Sequence, residues 1–556
     1  MEETKKLHPL LVQLLLRRGF SSPEEVEQFL YGNLSHLPDP WKLPDMSLAV
    51  DRLIHAFRKK EKVVLFGDYD VDGMTGTAQL AAFFQDLGHP VEPCLPHRLT
   101  EGYGLTAASV QKILSLKPDL VVTIDNGTTA LKEIQSLKDH GADVIVVDHH
   151  ETPHQRPSVV ALVNPKSPGS SFPERDIASA GLIFLLLMAM RARLREEGVS
   201  DLPNLKRYLD LCCLGTIADV VPLIGTNRLL VKYGLKELET TQRPGLKALM
   251  KLASVNTPLT ASTAAFRLIP RLNAAGRLAS PTLSLNLLLS KDDQESFVLA
   301  NQLEDLNRER QKLEEKATHE AIQMVKENQN EFKGLVVASP HWHLGIVGIV
   351  ASRLVDYFNR PSIVLSTDLQ KNLAKGSART VQGISVHKVL KTLSEELLSF
   401  GGHDAACGLS LALDALPSFA HKFSEAVNQI YPDYPPLSLA PFPIDATLEL
   451  HQINSELIEM LNLLQPFGSG NPEPTFMSSP VRLNAPRVVG EKHLKMVVTQ
   501  DKNHLEAIAF NWLRTKSTFS PPVISDDYEV SFFPELNCWN GLESIQLRVK
   551  NLSLQK

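Results

Sequence analysis

Apolar and polar positions follow two different rhythms along this chain. Between residues 60 and 165, short apolar runs recur at Val63–Phe66, Val91–Leu95, Leu120–Ile124, Val144–Val147 and Val159–Val163. Most are rich in β-branched residues, the composition of strands buried on both faces. Between them lie stretches with helical patterning, such as Thr75–Leu87, Ala107–Leu116 and Thr128–His140. Strands and helices in alternation predict an α/β unit with a mostly parallel sheet and helices on both faces. In such sheets ligands bind beyond the carboxyl ends of the strands.

The pattern changes on either side. Residues 1–45 read as helical and proline-punctuated, with Ser22-Pro23-Glu24-Glu25 as a capping box. A helix from Ser47 to Lys60 leads into the first strand. Asp292 to about Gln329 is polar on most faces of a predicted helix, the pattern of a helix that bridges two units. A second, smaller α/β unit follows, with a strand at Leu335–Ala338 and a helix at Ile349–Phe358. Tyr431–Pro443 reads as a stiff proline-rich linker. Beyond a short helical piece, strands at Val481–Val489, His493–Thr499, Leu505–Asn511, Tyr528–Phe533 and Ser544–Lys550 predict a small barrel, with an OB-fold the nucleic-acid-binding candidate. The expected division is an N-terminal helical segment (1–45), a first α/β domain (46–290), a bridging helix (291–330), a second α/β domain (331–431) and a barrel (432–556).

At 556 residues the chain needs several cores, in keeping with that division. Its 43% apolar and 22% charged content is ordinary for a soluble globular protein. A net charge of −6 provides no global attraction for a polyanion, so any such site must be a local groove. Five cysteines with no C-x-x-C pair argue against a disulfide framework and against structural zinc. A reducing, cytoplasmic setting is the expectation. Leu10–Leu16 is followed by Arg17-Arg18 without a small-residue cleavage site, which predicts short helices rather than a signal peptide. The longest apolar run, Ile177–Met190, is shorter than the roughly 18 residues a membrane span needs and is expected to be a buried helix.

Candidate chemistry starts where the first strand runs into Gly67-Asp68-Tyr69-Asp70-Val71-Asp72-Gly73. If the extended geometry persists, the three carboxylates share one side. Like charges so crowded are costly unless a cation sits among them, and hard oxygen ligands suit magnesium or manganese. The same letters open a calcium loop, but its twelfth position is Gln79 and the incoming segment is strand-like. An acidic surface turn is the plainer alternative. Against it stand the other strand ends: Asp125 follows one, Asp148-His149-His150 another, and Asp219 ends the apolar stretch Leu211–Ala218. Asp70, Asp72, Asp125, His149 and Asp219 would form a ligand set sufficient for two divalent ions sharing a bridging carboxylate. Taken singly, Asp125 would serve as the N-cap of a helix starting near Thr128, Asp219 as a turn residue, and the histidine pair as an exposed turn.

Together, G-D-Y-D-V-D-G (67–73), Asp125, D-H-H (148–150) and Asp219 resemble the four motifs of the DHH phosphoesterase superfamily. Its members hydrolyse phosphodiesters or phosphoanhydrides with two Mn2+ or Mg2+ ions. The resemblance implies that Asp70, Asp72, Asp125, His149 and Asp219 are metal ligands, with Asp125 as the bridge, and that His150 lies beside the substrate. Many members carry a histidine four residues before the first ligand aspartate, where this chain has Phe66. The first metal would then lean on Asp68 or on water, so Asp68 and His150 are the catalytic candidates beside the ligands.

Pro96–Leu105 contains a glycine pair and Arg98, suited to a loop that approaches a phosphate, with an Arg98–Glu101 salt bridge as the plain alternative. It is similar to the R-x-x-E-G-Y-G-L element of the RecJ exonucleases, as are Pro270–Leu278 and Gln465–Pro474 to other elements of that family. Substrate contacts from Arg98, Asn273 and Arg277 follow from the resemblance. Three glycine-rich stretches, His341–Gly348, Gly376–Arg379 and Gly401–Gly408, read as turns on a polyanion-facing surface. They resemble a DHHA1 domain, which implies substrate contacts from His343, Ser377, Arg379 and His403. Ser377 and Arg379 would grip a terminal 5′ phosphate. In the barrel, Trp512, Phe533 and Trp539 are candidates for base stacking, and Lys492, Lys495 and Arg514 for following phosphates.

The resemblance thus implies a DHH domain, a bridging helix, a DHHA1 domain and a C-terminal OB-fold barrel. Its implied activity is 5′-to-3′ exonucleolytic cleavage of single-stranded DNA with a 5′ end, in DNA repair and recombination. A helicase and a single-strand-binding protein are the partners beside which such an enzyme would work, and no membrane is implied. Two alternatives stay open: a short-oligonucleotide or dinucleotide phosphodiesterase of the same superfamily, which would lack the barrel, and a non-catalytic replication scaffold of the same fold, which would have lost metal ligands.

Overall fold

Helices α1 (Pro9–Arg17) and α2 (Pro23–Tyr31) open the chain, and Ser22 with Glu25 forms the predicted capping box on the second. The computed structural model describes residues 7–98, 100–329, 331–434, 443–490, 492–512, 528–539 and 542–554. After α3 (Met46–Lys59) comes a sheet of β1 (Val63–Gly67), β2 (Glu92–Cys94), β3 (Leu120–Ile124), β4 (Asp143–Val147) and β5 (Ala161–Val163). All its pairings are parallel, in the order β2-β1-β3-β4-β5.

Alternation along these strands decides which helix covers which face. Val63 and Leu65 share a core with α3, with α4 (Val71–Asp86) and with α7 (Ser179–Glu196). Val64 and Phe66 point the other way, to α5 (Ala107–Ser115) and α6 (Leu131–Asp139). From β1 the chain passes outward to β2 and then back across to β3. The crevice for a ligand in an α/β sheet opens at such a reversal, here beyond the carboxyl ends of β1 and β3.

A helical layer follows, including α8 (Leu209–Ala218) and α9 (Gly225–Glu239). Then a 36-residue helix, Asp293–Asn328, crosses to the next unit. Its Ala300 and Leu303 lie in the core shared with α8, while Ala317, Ala321 and Val325 lie in the core of the second unit. Between these apolar ends its buried polar residues are paired, Glu304 with Arg271 at 2.5 Å and Arg310 with Glu314 at 2.9 Å. That pairing lets a helix so polar be buried on one side.

The second sheet has β6 (Leu335–Ser339), β7 (Ser362–Asp368), β8 (Leu373–Arg379), β9 (Ser399–His403) and β10 (Ala406–Ala412), in the order β6-β7-β8-β10-β9. Gly376–Arg379 and Gly401–His403 are therefore strand residues in antiparallel ladders, not turns. The barrel comprises β11 (Ala446–Thr447), β12 (Phe476–Val489), β13 (His493–Gln500), β14 (Asn503–Ala509), β15 (Tyr528–Trp539) and β16 (Leu542–Leu554), closed by β12 pairing with β15. Its apolar core takes in Leu11, Leu14, Leu15, Phe29 and Leu30 from α1 and α2. Trp512 and Phe533, expected to stack on bases, are 9% and 5% exposed and belong to that core. Lys495 pairs with Glu506 at 3.0 Å. Residues 435–442 of the linker, Arg514 and the side chain of Trp539 lie outside the described residues. Among the described residues no helix is long and apolar enough to cross a membrane.

Candidate metal centre

The extended geometry expected from Asp68 to Asp72 stops early, because the chain turns into α4 at Val71. Asp70 is the N-cap, its Oδ1 accepting from the N–H groups of Asp72 (2.9 Å) and Gly73 (3.2 Å). Gly73 allows the helix start to fold back tightly: a Cβ there would lie 2.5 Å from the Asp68 nitrogen. Asp72 acts at a distance in sequence. Its carboxylate accepts from the N–H groups of Ser179 (2.7 Å) and Ala180 (2.8 Å), and so caps α7, whose own N-cap residue, Ala178, makes no side-chain bond. Each carboxylate oxygen keeps a lone pair free for a cation.

Asp125 leaves β3 in a left-handed conformation, φ +64°, which aspartate tolerates better than most residues. It is not the N-cap of the next helix, which starts only at Leu131. Its carboxylate accepts from Ser179 Oγ at 3.0 Å. His149 Nε2 lies 3.3 Å from Asp125 Oδ1, and His149 Nδ1 lies 3.5 Å from Asp219 Oδ2.

These side chains form overlapping triads. Ligand atoms of Asp68, Asp70 and Asp125 lie within 4.8 Å of one another, and so do those of Asp72, His149 and Asp219. Asp125 forms a third such group with His149 and His150, so it adjoins both. Buried Asp68 Oδ2 and His149 Nε2 have no hydrogen-bond partner. Burial, then the charge of Asp70, pushes Asp72 up to about 7 and raises Asp68 well above the carboxylate range. Asp125 and Asp219 are raised likewise, by burial and then by Asp72 and Asp70. Burial and the neighbouring His150 hold His149 down to about 4, so it is a neutral imidazole with a free lone pair. Orphaned buried donor atoms, repelling carboxylates and one neutral imidazole fit two divalent cations with hard-oxygen preference.

His150 is held separately. Its Nδ1 lies 2.7 Å from Asp148, which also accepts from the N–H groups of His149, His150 and Thr128. Burial would push the His150 imidazole down, but the Asp148 bond and charge outweigh it and raise it. Its Nε2 lies 2.9 Å from Tyr103 Oη. The ring stacks on His403 from the second sheet, centroids 6.1 Å apart, so both α/β units face the site. The sequence pattern marks Asp148 only as part of the strand-end run Asp148–His150, without a role of its own, and gives no role to Tyr103 or Ser179. The first two stand inside the motifs D-H-H and E-G-Y-G-L, whereas Ser179 lies 54 residues from Asp125 with no local signal.

The residues expected to contact substrate gather beside these triads. Arg98 lies over the Tyr69 ring at 5.2 Å, while Glu101 pairs with Lys112 at 3.5 Å, so no Arg98–Glu101 bridge forms. Arg277 Nη1 donates to the Gly345 carbonyl at 3.2 Å, and Asn273 sits one turn earlier on the same helix, Ile269–Leu278. His343 Nδ1 accepts from the Gly345 N–H at 3.0 Å. Arg379 Nη1 donates to Ser377 Oγ at 2.6 Å. Burial, then Arg98, Arg310 and Arg379, lowers Arg277 to about 10. Among the described residues, Arg98, Arg277 and Arg379 form no ion pair with a carboxylate. A half-buried group of unpaired guanidinium side chains is suited to a phosphate anion.

Comparison with known proteins agrees along the whole chain. Residues 62–216 match the DHH family N-terminal domain, 331–429 the DHHA1 domain and 444–551 the RecJ OB domain. The single-stranded-DNA-specific exonuclease RecJ of Bacillus subtilis is 35% identical over 562 residues, covering 100% of this chain and 69% of that protein. The RecJ of Escherichia coli is 34% identical, covering 98% of this chain and 96% of that one. The crystal structure of RecJ from Thermus thermophilus with Mn2+ superposes with a TM-score of 0.81 at 30% identity, covering 99% of this chain and 76% of that one; its Mg2+ complex gives 0.76. With three domain models in order and this identity over nearly full length, the chain belongs to the RecJ family of DHH exonucleases.

Proposed function

We propose that this chain is a 5′-to-3′ exonuclease that hydrolyses phosphodiester bonds of single-stranded DNA with two divalent cations, Mn2+ or Mg2+. The observation that carries this reading is the meeting of Asp70, Asp72, Asp125, His149 and Asp219 in adjoining triads beside an unpaired arginine cluster. Bound there, the cations would supply a hydroxide from water and neutralise charge on the phosphate. Asp68 would complete the Asp70 triad in a chain with Phe66 where relatives of the superfamily carry histidine.

The remaining work falls to this chain's side chains. Ser179 orients the Asp125 carboxylate, and Asp72 ties the start of α7 to the same cluster. Asp148 accepts from His150 Nδ1–H and favours the doubly protonated ring, whose Nε2–H faces the cleft and donates to a phosphate oxygen once Tyr103 yields. Arg98, Asn273, Arg277, His343 and His403 position the strand, while Ser377 and Arg379 hold its terminal 5′ phosphate. A phosphate held at a fixed place beside the triads puts the bond next to the strand end in line for attack, which produces one-nucleotide steps from that end. The barrel would hold the strand further along. In the cytoplasm a helicase and a single-strand-binding protein would provide such strands for repair and recombination.

A dinucleotide-limited phosphodiesterase has no use for a barrel, and a non-catalytic scaffold none for five intact ligand candidates. The test is Asp125→Ala with a long 5′-phosphorylated single strand. Cleavage should fall by about a thousandfold or more, as expected when several kcal/mol of metal-assisted stabilisation are lost, with strand binding kept. Unchanged turnover, or products released first from the 3′ end, would overturn the proposal.

A further inference from the structure

Asp219 is the C-cap of α8, still in helical conformation, and an irregular turn leads from it to α9. The next residue, Val220, stands at φ +59° with 69% of its surface exposed. A left-handed β-branched residue persists only where its surroundings over-determine it, and Val220's own side chain packs on little. The turn is instead held at its ends. Asp219 N–H donates to Gly215 O (3.0 Å) and Val220 N–H to Ile217 O (3.3 Å) at one end; Asn227 Nδ2 donates to Pro222 O (3.0 Å) near the other. At the α9 end, Thr226 N–H also donates to the Glu174 carboxylate (3.0 Å) and Asn227 Nδ2 to Asp176 O (2.6 Å), and within the turn a further anchor comes from far away in sequence: Leu223 N–H donates to the Ser469 carbonyl at 2.7 Å.

Ser469 sits in a tight loop closed by paired backbone bonds between Gly468 and Asn471, at 2.9 and 3.1 Å. Asn471 Nδ2 donates to the carbonyls of Leu464 and Pro466, both at 2.8 Å. Arg18, the C-cap residue of α1, braces the loop from outside, donating to Asn471 Oδ1 and, at 2.6 Å, to Pro472 O. The fit against the turn leaves no spare room. A Cβ on Gly470, itself at φ +69°, would lie 2.8 Å from Pro222 Cβ, and one on Gly468 would lie 2.7 Å from Leu223 Cδ1.

We propose that the Gly468–Asn471 loop, braced by Arg18, is a clamp that positions Asp219 for metal binding by holding the strained Val220 turn closed. The proposal rests on the reading of Asp219 as a ligand. Its consequence is that the barrel unit, besides any grip on DNA, sets the geometry of the metal centre in the first unit.

The test is Mn2+ binding to the full chain without DNA, followed by calorimetry, beside steady-state kinetics on single-stranded DNA. Gly470→Ala should weaken Mn2+ binding at one site about tenfold or more, the scale seen when a group supporting a ligand is lost. Its kcat should fall in step while KM for DNA changes less than about twofold. Gly468→Ala, at a negative φ and meeting only the Leu223 side chain, should show a smaller loss and guards against misfolding of the first variant. Adding Val220→Gly to Gly470→Ala should recover most of the Mn2+ affinity, since glycine takes the left-handed conformation without strain. Parental Mn2+ binding in both glycine variants, alongside a lost site in Asp219→Ala, overturns the clamp alone. Two intact sites in Asp219→Ala overturn the ligand reading, and the clamp with it.

Discussion

Removing metal should make this protein less stable as pH rises, and the size of the effect follows from the buried carboxylates. Asp72, 1% exposed, takes its proton at about pH 7 in the folded chain and at its ordinary 3.8 when unfolded. Between those values the folded form holds more protons than the unfolded one, so raising the pH lowers stability; the loss is absent below 3.8 and complete above 7. Asp68, Asp125 and Asp219 shift in the same direction. His149, lowered from 6.5 to about 4, runs the other way between those values and offsets one of these carboxylates. Asp148 is lowered too, which confines its effect to pH below 3.8. Asp72 alone, at about 1.4 kcal/mol per unit, then accounts for about 3 kcal/mol between pH 5 and 7. For a domain of this size that is roughly 6–12 °C in melting temperature. A bound cation prefers the ionised carboxylates and removes the penalty, so stabilisation by Mn2+ should grow with pH. Scanning calorimetry at pH 5, 6, 7 and 8, with EDTA or with MnCl2, measures this. A melting temperature in EDTA that is flat or rises from pH 5 to 7, or a Mn2+ shift that does not widen, would refute the electrostatics described for the site.

Two further outcomes follow from the geometry. Arg228 is fully buried and donates to the carbonyls of Phe29 (3.0 Å), Leu464 (2.8 Å) and Leu463 (2.9 Å). Arg228→Met leaves the Phe29 and Leu463 carbonyls without that donor, while Leu464 O keeps its bond from Asn471, and should cost about 2–6 kcal/mol in urea unfolding; a loss under about 1 kcal/mol would mean that α2, α9 and the C-terminal unit are not joined there. Arg379→Ala should reduce the preference for a 5′-phosphorylated over a 5′-hydroxyl strand by about 2 kcal/mol, roughly thirtyfold, from competition kinetics. An unchanged preference would locate the phosphate elsewhere.

The parallel sheet was legible because strands buried on both faces leave uninterrupted apolar runs, and Asp125 and Asp148–His150 stand out as polar residues directly after them. What the sequence hid was long-range. Nothing near Asp72 says that it caps a helix that starts 107 residues later, and nothing near Ala178 says that this helix lacks a cap of its own. The alternation expected from Asp68 to Asp72 failed because Asp70 caps α4, and an N-cap ends a strand pattern. Glycine-rich Gly376–Arg379 read as a turn, but its ladder partners Val364 and Leu365 on one side and Gly408 and Leu409 on the other, invisible locally, hold it as a strand. Trp512 looked like a stacking platform until the closed barrel placed it inside. Meanwhile the arginine cluster unites Arg98, Arg277 and Arg379 from three distant segments, which only the motif resemblance had linked.

The lodging of α1 and α2 on the barrel bears on how the chain is made. Leu11, Leu14, Leu15, Phe29 and Leu30 are translated long before their partners, which begin at Ala446. At synthesis rates of about 5–20 residues per second, those greasy helices wait roughly 20–80 s for their partners in the barrel core. Any nascent chain stalled before the barrel therefore displays the apolar faces of α1 and α2 without the core they pack into.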